Sequence, residues 1–225
     1  MEKQNMDINN NPNIKNIVIS ILALIVLAFG VALMVKPEVG LGPWDALTAT
    51  ISELTGLKFG TASIVSNIVM ICLQLIILRK RFKLSYWIQV PIVFSFGYVI
   101  NFFLYQVLQF NLTDYWIRML LFAFGNMVAA FAISFLVIID IIAMPPEIFS
   151  SAVAKVTGFE FSSIRLALDI VSVIICLLSY WLLSTTLQIR EGTIVSIIVF
   201  NISIKIFIKL FEPLIKNIEV KYNYK

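Results

Sequence analysis

Arg165 and Asp169 stand four residues apart in an otherwise apolar run. On a helix that spacing puts them on one face, where they can neutralise each other as an i,i+4 pair. A charge inside a membrane span costs about 2.5–3.5 kcal/mol on insertion scales, so each needs a partner or a watery cavity. Two roles fit the pair: a substrate or proton site, or a structural ion pair that locks helices together. Asp45 and Glu147 each fall in the first turn of a short segment opened by proline, where the helix dipole favours a carboxylate and ion coordination is the sharper alternative. Asn67 lies inside another apolar run, and the backbone around Gly40 and Gly42 could offer exposed amide groups to a ligand. The candidate substrate-binding set is therefore Asn67, Arg165, Asp169, Gly40, Gly42, Asp45 and Glu147, with no catalytic residue and no metal ligand expected.

Several chemistries are disfavoured by composition. The chain has no histidine, which removes the usual nucleophile/base arrangements and nearly all familiar zinc sites. It has no Walker-type glycine loop. An intramembrane enzyme acting on lipids lacks a pair of well-placed acids, so no enzymatic activity and no cofactor are expected. Cys72 and Cys176 both fall inside apolar runs and read as packing or lipid-facing residues rather than a bridge. The net charge of +4 comes from residues beside apolar runs, which points to anionic lipid headgroups and not to nucleic acid.

The elements that must position these residues follow from hydropathy. With 60% hydrophobic and 13% charged residues over 225 positions, the chain carries more apolar surface than one soluble core can hide. Its mean hydropathy is +0.95. A spanning helix needs roughly 20 apolar residues, and six stretches qualify: 17–35, 59–78, 86–108, 119–139, 161–183 and 193–211. The first ends in Met34, Val35, Lys36 and Pro37 without a small-x-small cleavage site, so it reads as a retained helix. Lys3, Lys15, the Arg79, Lys80, Arg81 and Lys83 cluster, Lys155 and the basic tail fall on one side, against only Lys36, Lys58, Arg118 and Arg190 on the other. The positive-inside rule then places both termini, 1–13 and 213–225, in the cytoplasm of a bacterial inner-membrane protein.

Offset by 102 residues, the chain matches itself without a gap: Pro43 with Pro145, Asp45 with Glu147, Thr55 and Gly56 with Thr157 and Gly158, Phe59 with Phe161, and Asn67 with Asp169. This divides a single transmembrane domain into repeats of about 14–110 and 115–212. The segments 43–54 and 145–156 are too short to cross, at roughly 1.5 Å per residue, a hydrocarbon core of about 30 Å. They read as re-entrant or interfacial helices. Three crossings per repeat then make the second half enter from the opposite side, so the expected fold is all-α, six transmembrane helices plus two short ones in inverted repeats.

The string Gly40, Leu41, Gly42, Pro43, Trp44, Asp45, Ala46, Leu47, with Thr55, Gly56, Gly60 and Thr61 downstream, resembles the hallmark of the YczE/YyaS/YitT group of bacterial integral membrane proteins. The resemblance implies a second-half counterpart at Ala143, Met144, Pro145, Pro146 and Glu147, then Arg165 with Asp169, then Gly192 with Thr193. Glycine is lost at Ala143 and Met144, and the first half lacks a Gly-Thr pair near Val90. The group lends a fold plan and no settled activity.

The expectation for function is a small-molecule or ion transporter or permease of unknown substrate. The alternatives are a non-transporting assembly or regulatory partner, or the substrate-binding subunit of a multi-component importer. Membrane lipids, an unidentified small molecule or ion, and a homo-oligomeric or membrane-protein partner are the contacts this implies.

Overall fold

The computed structural model describes residues 14–222 apart from 80, 81, 83 and 140–143. Lys3, Lys80, Arg81, Lys83, Asp140, Ala143 and Lys225 lie outside them, as does segment 1–13. The described chain is all-helical, with α1 Ile14–Val35, α2 Pro43–Thr55, α3 Phe59–Leu78, α4 Gln89–Phe102, α5 Tyr115–Ile139, α6 Pro145–Thr157, α7 Phe161–Leu183 and α8 Glu191–Tyr222. Among the described residues, six helical stretches are long and apolar enough to cross a membrane, which makes this a multi-pass membrane protein by length and composition.

Two boundaries differ from expectation. The third stretch is not one uniform helix: a 3-10 turn, Leu84–Ile88, precedes α4, and a π turn, Phe103–Val107, follows it. Pro91 sits in the first turn of α4, where a missing N–H costs nothing. The last helix does not stop at 211; α8 carries Pro213 in its interior and continues to Tyr222.

Helix starts repeat at a fixed step. α2 and α6 begin at 43 and 145, α3 and α7 at 59 and 161, and α4 and α8 at 89 and 191, each pair 102 apart. The short helices are punctuated alike. Each has proline in its first turn, and each ends on a left-handed glycine, Gly56 (φ 69°) and Gly158 (φ 80°), a conformation that penalises any side chain.

Between helices in lipid there is little hydrophobic gain from contact, so close packing needs small residues. The α1/α5 pair is built this way. A Cβ on Gly30 would stand 2.7 Å from the Ala129 backbone nitrogen, and one on Gly125 2.9 Å from the Leu33 side chain. As α1 advances from 30 to 33, its partner falls from 129 to 125, so the two helices run antiparallel. Around them α4 packs on α1 and α8 on α5, while α6 packs on α3 and α2 on α7.

The short helices end at opposite ends of α3. The end of α2 leads through Gly56 directly into the start of α3, whereas Ala152 of α6 packs with Leu78 and Tyr86 where α3 gives way to α4.

Candidate functional site

The first turns of α2 and α6 meet α1, α3, α4, α5, α7 and α8 around a cavity of about 360 Å³. Each side chain arrives there for a local reason. Proline pre-sets the first turn of each short helix and leaves Asp45 and Glu147 one or two positions on, against the N-terminal dipole. Ser63 and Asn67 of α3, and Arg165 and Asp169 of α7, are i,i+4 pairs that each present one face.

The lining is itself duplicated. Leu27 and Ala129, Val31 and Ile133, Gly42 and Met144, Trp44 and Pro146, Asp45 and Glu147, Ser63 and Arg165, and Asn67 and Asp169 all line the cavity, and every pair differs by 102 in number. The cavity thus draws its lining from both halves of the chain at matching positions.

Charge gathers on one wall. Arg165 donates from Nη1 to Asp169 Oδ1, and its Nε lies 3.8 Å from Glu147 Oε1. The other Glu147 oxygen, Oε2, is buried without a protein partner. Asp45 borders the same cavity, and among the described residues it forms no ion pair. Three carboxylates therefore face one guanidinium, and two of them share it.

The other polar residues of the lining are neutral. Asn67 donates from Nδ2 to the Ser63 carbonyl (2.8 Å) and to Ser63 Oγ (3.3 Å). Ser196 of α8 donates to Asn126 Oδ1 at 2.7 Å, and Asn126 in turn donates to the Phe122 carbonyl.

Six of the seven residues expected from sequence line this cavity. Gly40 does not. Its φ of +112° and its contact with Arg190, 2.9 Å from a built Cβ to the Arg190 Cβ, place it in a seam between the loop before α2 and the start of α8. There the Leu41 N–H donates to the Gln188 carbonyl (3.0 Å) and the Gly192 N–H to the Val39 carbonyl (2.9 Å). Thr193 Oγ1 donates to the Leu41 carbonyl (2.7 Å). Gly192 is required by the same approach, since a Cβ would meet the Val39 oxygen at 2.7 Å. Arg118 adds donations to the Pro37 and Glu38 carbonyls.

Glu53, near the end of α2, ties this region to the turn after α7. It accepts from the Thr186 N–H (2.8 Å) and hydroxyl (2.5 Å), and from Gln188 Nε2 (3.4 Å). Desolvation raises the Glu53 pKa, but the three hydrogen bonds outweigh it and hold the carboxyl below its ordinary value.

Two buried residues that sequence reasoning missed secure the other side. Gln74 of α3 and Gln89 of α4 exchange amide hydrogen bonds of 3.2 and 3.0 Å, and their remaining N–H groups reach the Pro145 and Tyr86 carbonyls. The pair holds the first residue of α6 in place. The signal was two glutamines in apolar stretches, which need partners once buried.

Fold and cavity together define a helical multi-pass membrane protein with a polar cavity among its helices. Residues 14–209 match the Family of unknown function (DUF6198), and the chain belongs to that family. No curated protein and no solved structure matches it.

Proposed function

We propose that this protein is a small secondary transporter or channel-like permease of a bacterial inner membrane, with no enzymatic step, in which α2 and α6 are re-entrant half-helices of two inverted repeats. The carrying observation is the cavity lined by seven repeat-related pairs, with both half-helix starts and the Arg165/Asp169 pair on its wall. Antiparallel packing of α1 on α5 supports the inverted relation, because equivalent helices of inverted repeats must run in opposite directions. So does the placement of the α2 and α6 ends at opposite ends of α3. The cytoplasmic position of both termini rests on the distribution of lysine and arginine. The likeness of the string 40–47 to the YczE/YyaS/YitT group belongs to this reading and speaks for its fold plan.

Uptake into proteoliposomes tests the reading, with a panel of labelled ions and small solutes. Saturable uptake of at least one solute, lost in Asp169→Asn, is the expected result. An Asp169→Asn protein that folds and transports every solute as the wild type does would remove the pair from the mechanism.

One observation favours a second reading, the substrate-binding subunit of a larger importer: α7 and α8 expose more of their surface than the other spans, as a partner-facing side would. Co-purification with an ATPase complex, with uptake only in its presence, would select it.

A further inference from the structure

The two repeats differ in one seam. In the first, α3 and α4 touch backbone to backbone: a Cβ on Gly60 would meet the Gly97 oxygen at 2.1 Å, and one on Gly97 the Gly60 oxygen at 2.4 Å. Asn101 accepts from the Gly60 N–H and donates to Thr61 Oγ1, and Tyr105 accepts from the Phe59 N–H. In the second repeat the equivalent positions of α8 hold Val199, Ser203 and Phe207. None can reproduce the glycine contact. α7 is held by α2 and α6, and α8 by α5, but α7 and α8 do not pack along each other.

Both helices of that unsealed seam border the cavity. Ile197 and Asn201 of α8 line it and are also exposed on the outer surface. Across the seam, the Arg165 and Asp169 side chains keep 28% and 29% of their exposure. Both helices are spans, so the seam faces acyl chains, and a partly exposed ion pair there is costly unless something polar sits against it. The seam therefore joins an apolar outside to a site in which carboxylates outnumber the guanidinium, with Glu147 Oε2 buried and unpartnered. The remaining wall, Leu27, Val31, Phe96, Ile133 and Phe200, is apolar.

We propose that the cavity takes an amphipathic organic cation from the bilayer through the seam between α7 and α8, its ammonium group on Asp45, Glu147 and Asp169 and its apolar body along the seam. The inference rests on the transport reading above and names the substrate class and route. A cationic headgroup supplies the donors that Asp45 and Glu147 lack, and the acyl environment concentrates such molecules at the seam.

Equilibrium binding of radiolabelled octylammonium to the full chain in lipid nanodiscs, with empty nanodiscs subtracted, tests this. Saturable binding is expected, weakened by about tenfold or more in Asp169→Asn and, independently, in Asp45→Asn. Methylammonium, which has the head without the chain, competes about a hundredfold less well, and octanoate does not compete. Ile197→Trp, in the seam, slows association by about tenfold, while Ile206→Trp, equally on α8 but off the cavity, leaves it unchanged. Absence of saturable binding, equal competition by octanoate, or unaltered association in Ile197→Trp overturns the proposal. If octylammonium fails while a hydrophilic solute is still taken up in an Asp169-dependent way, the route and class fall and the transport reading stands. If neither occurs, both fall.

Discussion

Asn67 and Asp169 occupy the same place in two helices 102 residues apart and line one cavity. Each works with the residue four before it. The Asn67 amide donates to the Ser63 hydroxyl at 3.3 Å, a neutral side-chain pair, and Arg165 and Asp169 form its charged counterpart. At these positions the duplicated framework thus carries charge on the second copy only, although Asp45 and Glu147 give each copy a carboxylate in the same cavity.

That asymmetry sets the cost of breaking the ion pair. Arg165→Met leaves Asp45, Glu147 and Asp169 without the guanidinium they face, whereas Asp169→Asn leaves Arg165 still near Glu147. Removing one partner of a buried pair costs about 3–5 kcal/mol, and partial exposure reduces this to about 1–3 kcal/mol here. Thermal unfolding in detergent should show Arg165→Met clearly less stable than Asp169→Asn. Equal destabilisation would mean that Glu147 does not share the guanidinium.

The α3/α4 seam depends on two missing side chains. Gly97→Ala places a Cβ against the Gly60 oxygen and Ile64, with backbone on one side and a packed residue on the other, so the helices must separate. Overpacking of this kind costs about 1–3 kcal/mol. Gly158→Ala meets nothing within 4 Å, and its cost is the left-handed φ alone, about 1 kcal/mol. A lower Tm for Gly97→Ala than for Gly158→Ala is the expected order.

Much of this architecture was legible in the sequence because repeats keep register where turns keep chemistry. Pro43 and Pro145, and Gly56 and Gly158, fix both ends of the short helices, and one offset then carries Asn67 onto Asp169. What escaped was pairing between distant segments. Gln74 and Gln89 look like any amide in an apolar stretch until α3 and α4 are brought together. Gly40 reads as a ligand contact because it neighbours Gly42, yet its left-handed backbone serves the approach of Arg190. The unsealed side between α7 and α8 was also hidden, since Val199 in place of a glycine is an ordinary residue for a span.

Glu53 should give the protein a pH-dependent clamp between α2 and the turn after α7. Its folded pKa lies below the ordinary value of 4.5, so it adds stability above that value, and the contribution is lost as pH falls through the folded pKa. Glu53→Gln should lower Tm near neutrality and converge with the wild type at more acidic pH. A Tm difference that stays constant across this range would show that the hydrogen bonds from Thr186 and Gln188 do not depend on the charge.

The Gln74/Gln89 pair offers a test of how α6 is held. Both amides are almost fully buried, and each spends one N–H on the other and one on a carbonyl. Replacing either one by leucine strands the other's amide and costs about 1–3 kcal/mol. Replacing both removes the stranded group, so the double variant should be less destabilised than the sum of the single ones, a coupling of about 1 kcal/mol or more in a double-mutant cycle. The Pro145 carbonyl loses its donor when Gln74 is replaced but keeps it when Gln89 is replaced. Gln74→Leu should therefore disturb the start of α6, and with it Glu147, more than Gln89→Leu does. Hydrogen exchange of amides in the first turns of α6 would report that difference, and equal exchange in the two variants would place the anchor of α6 elsewhere.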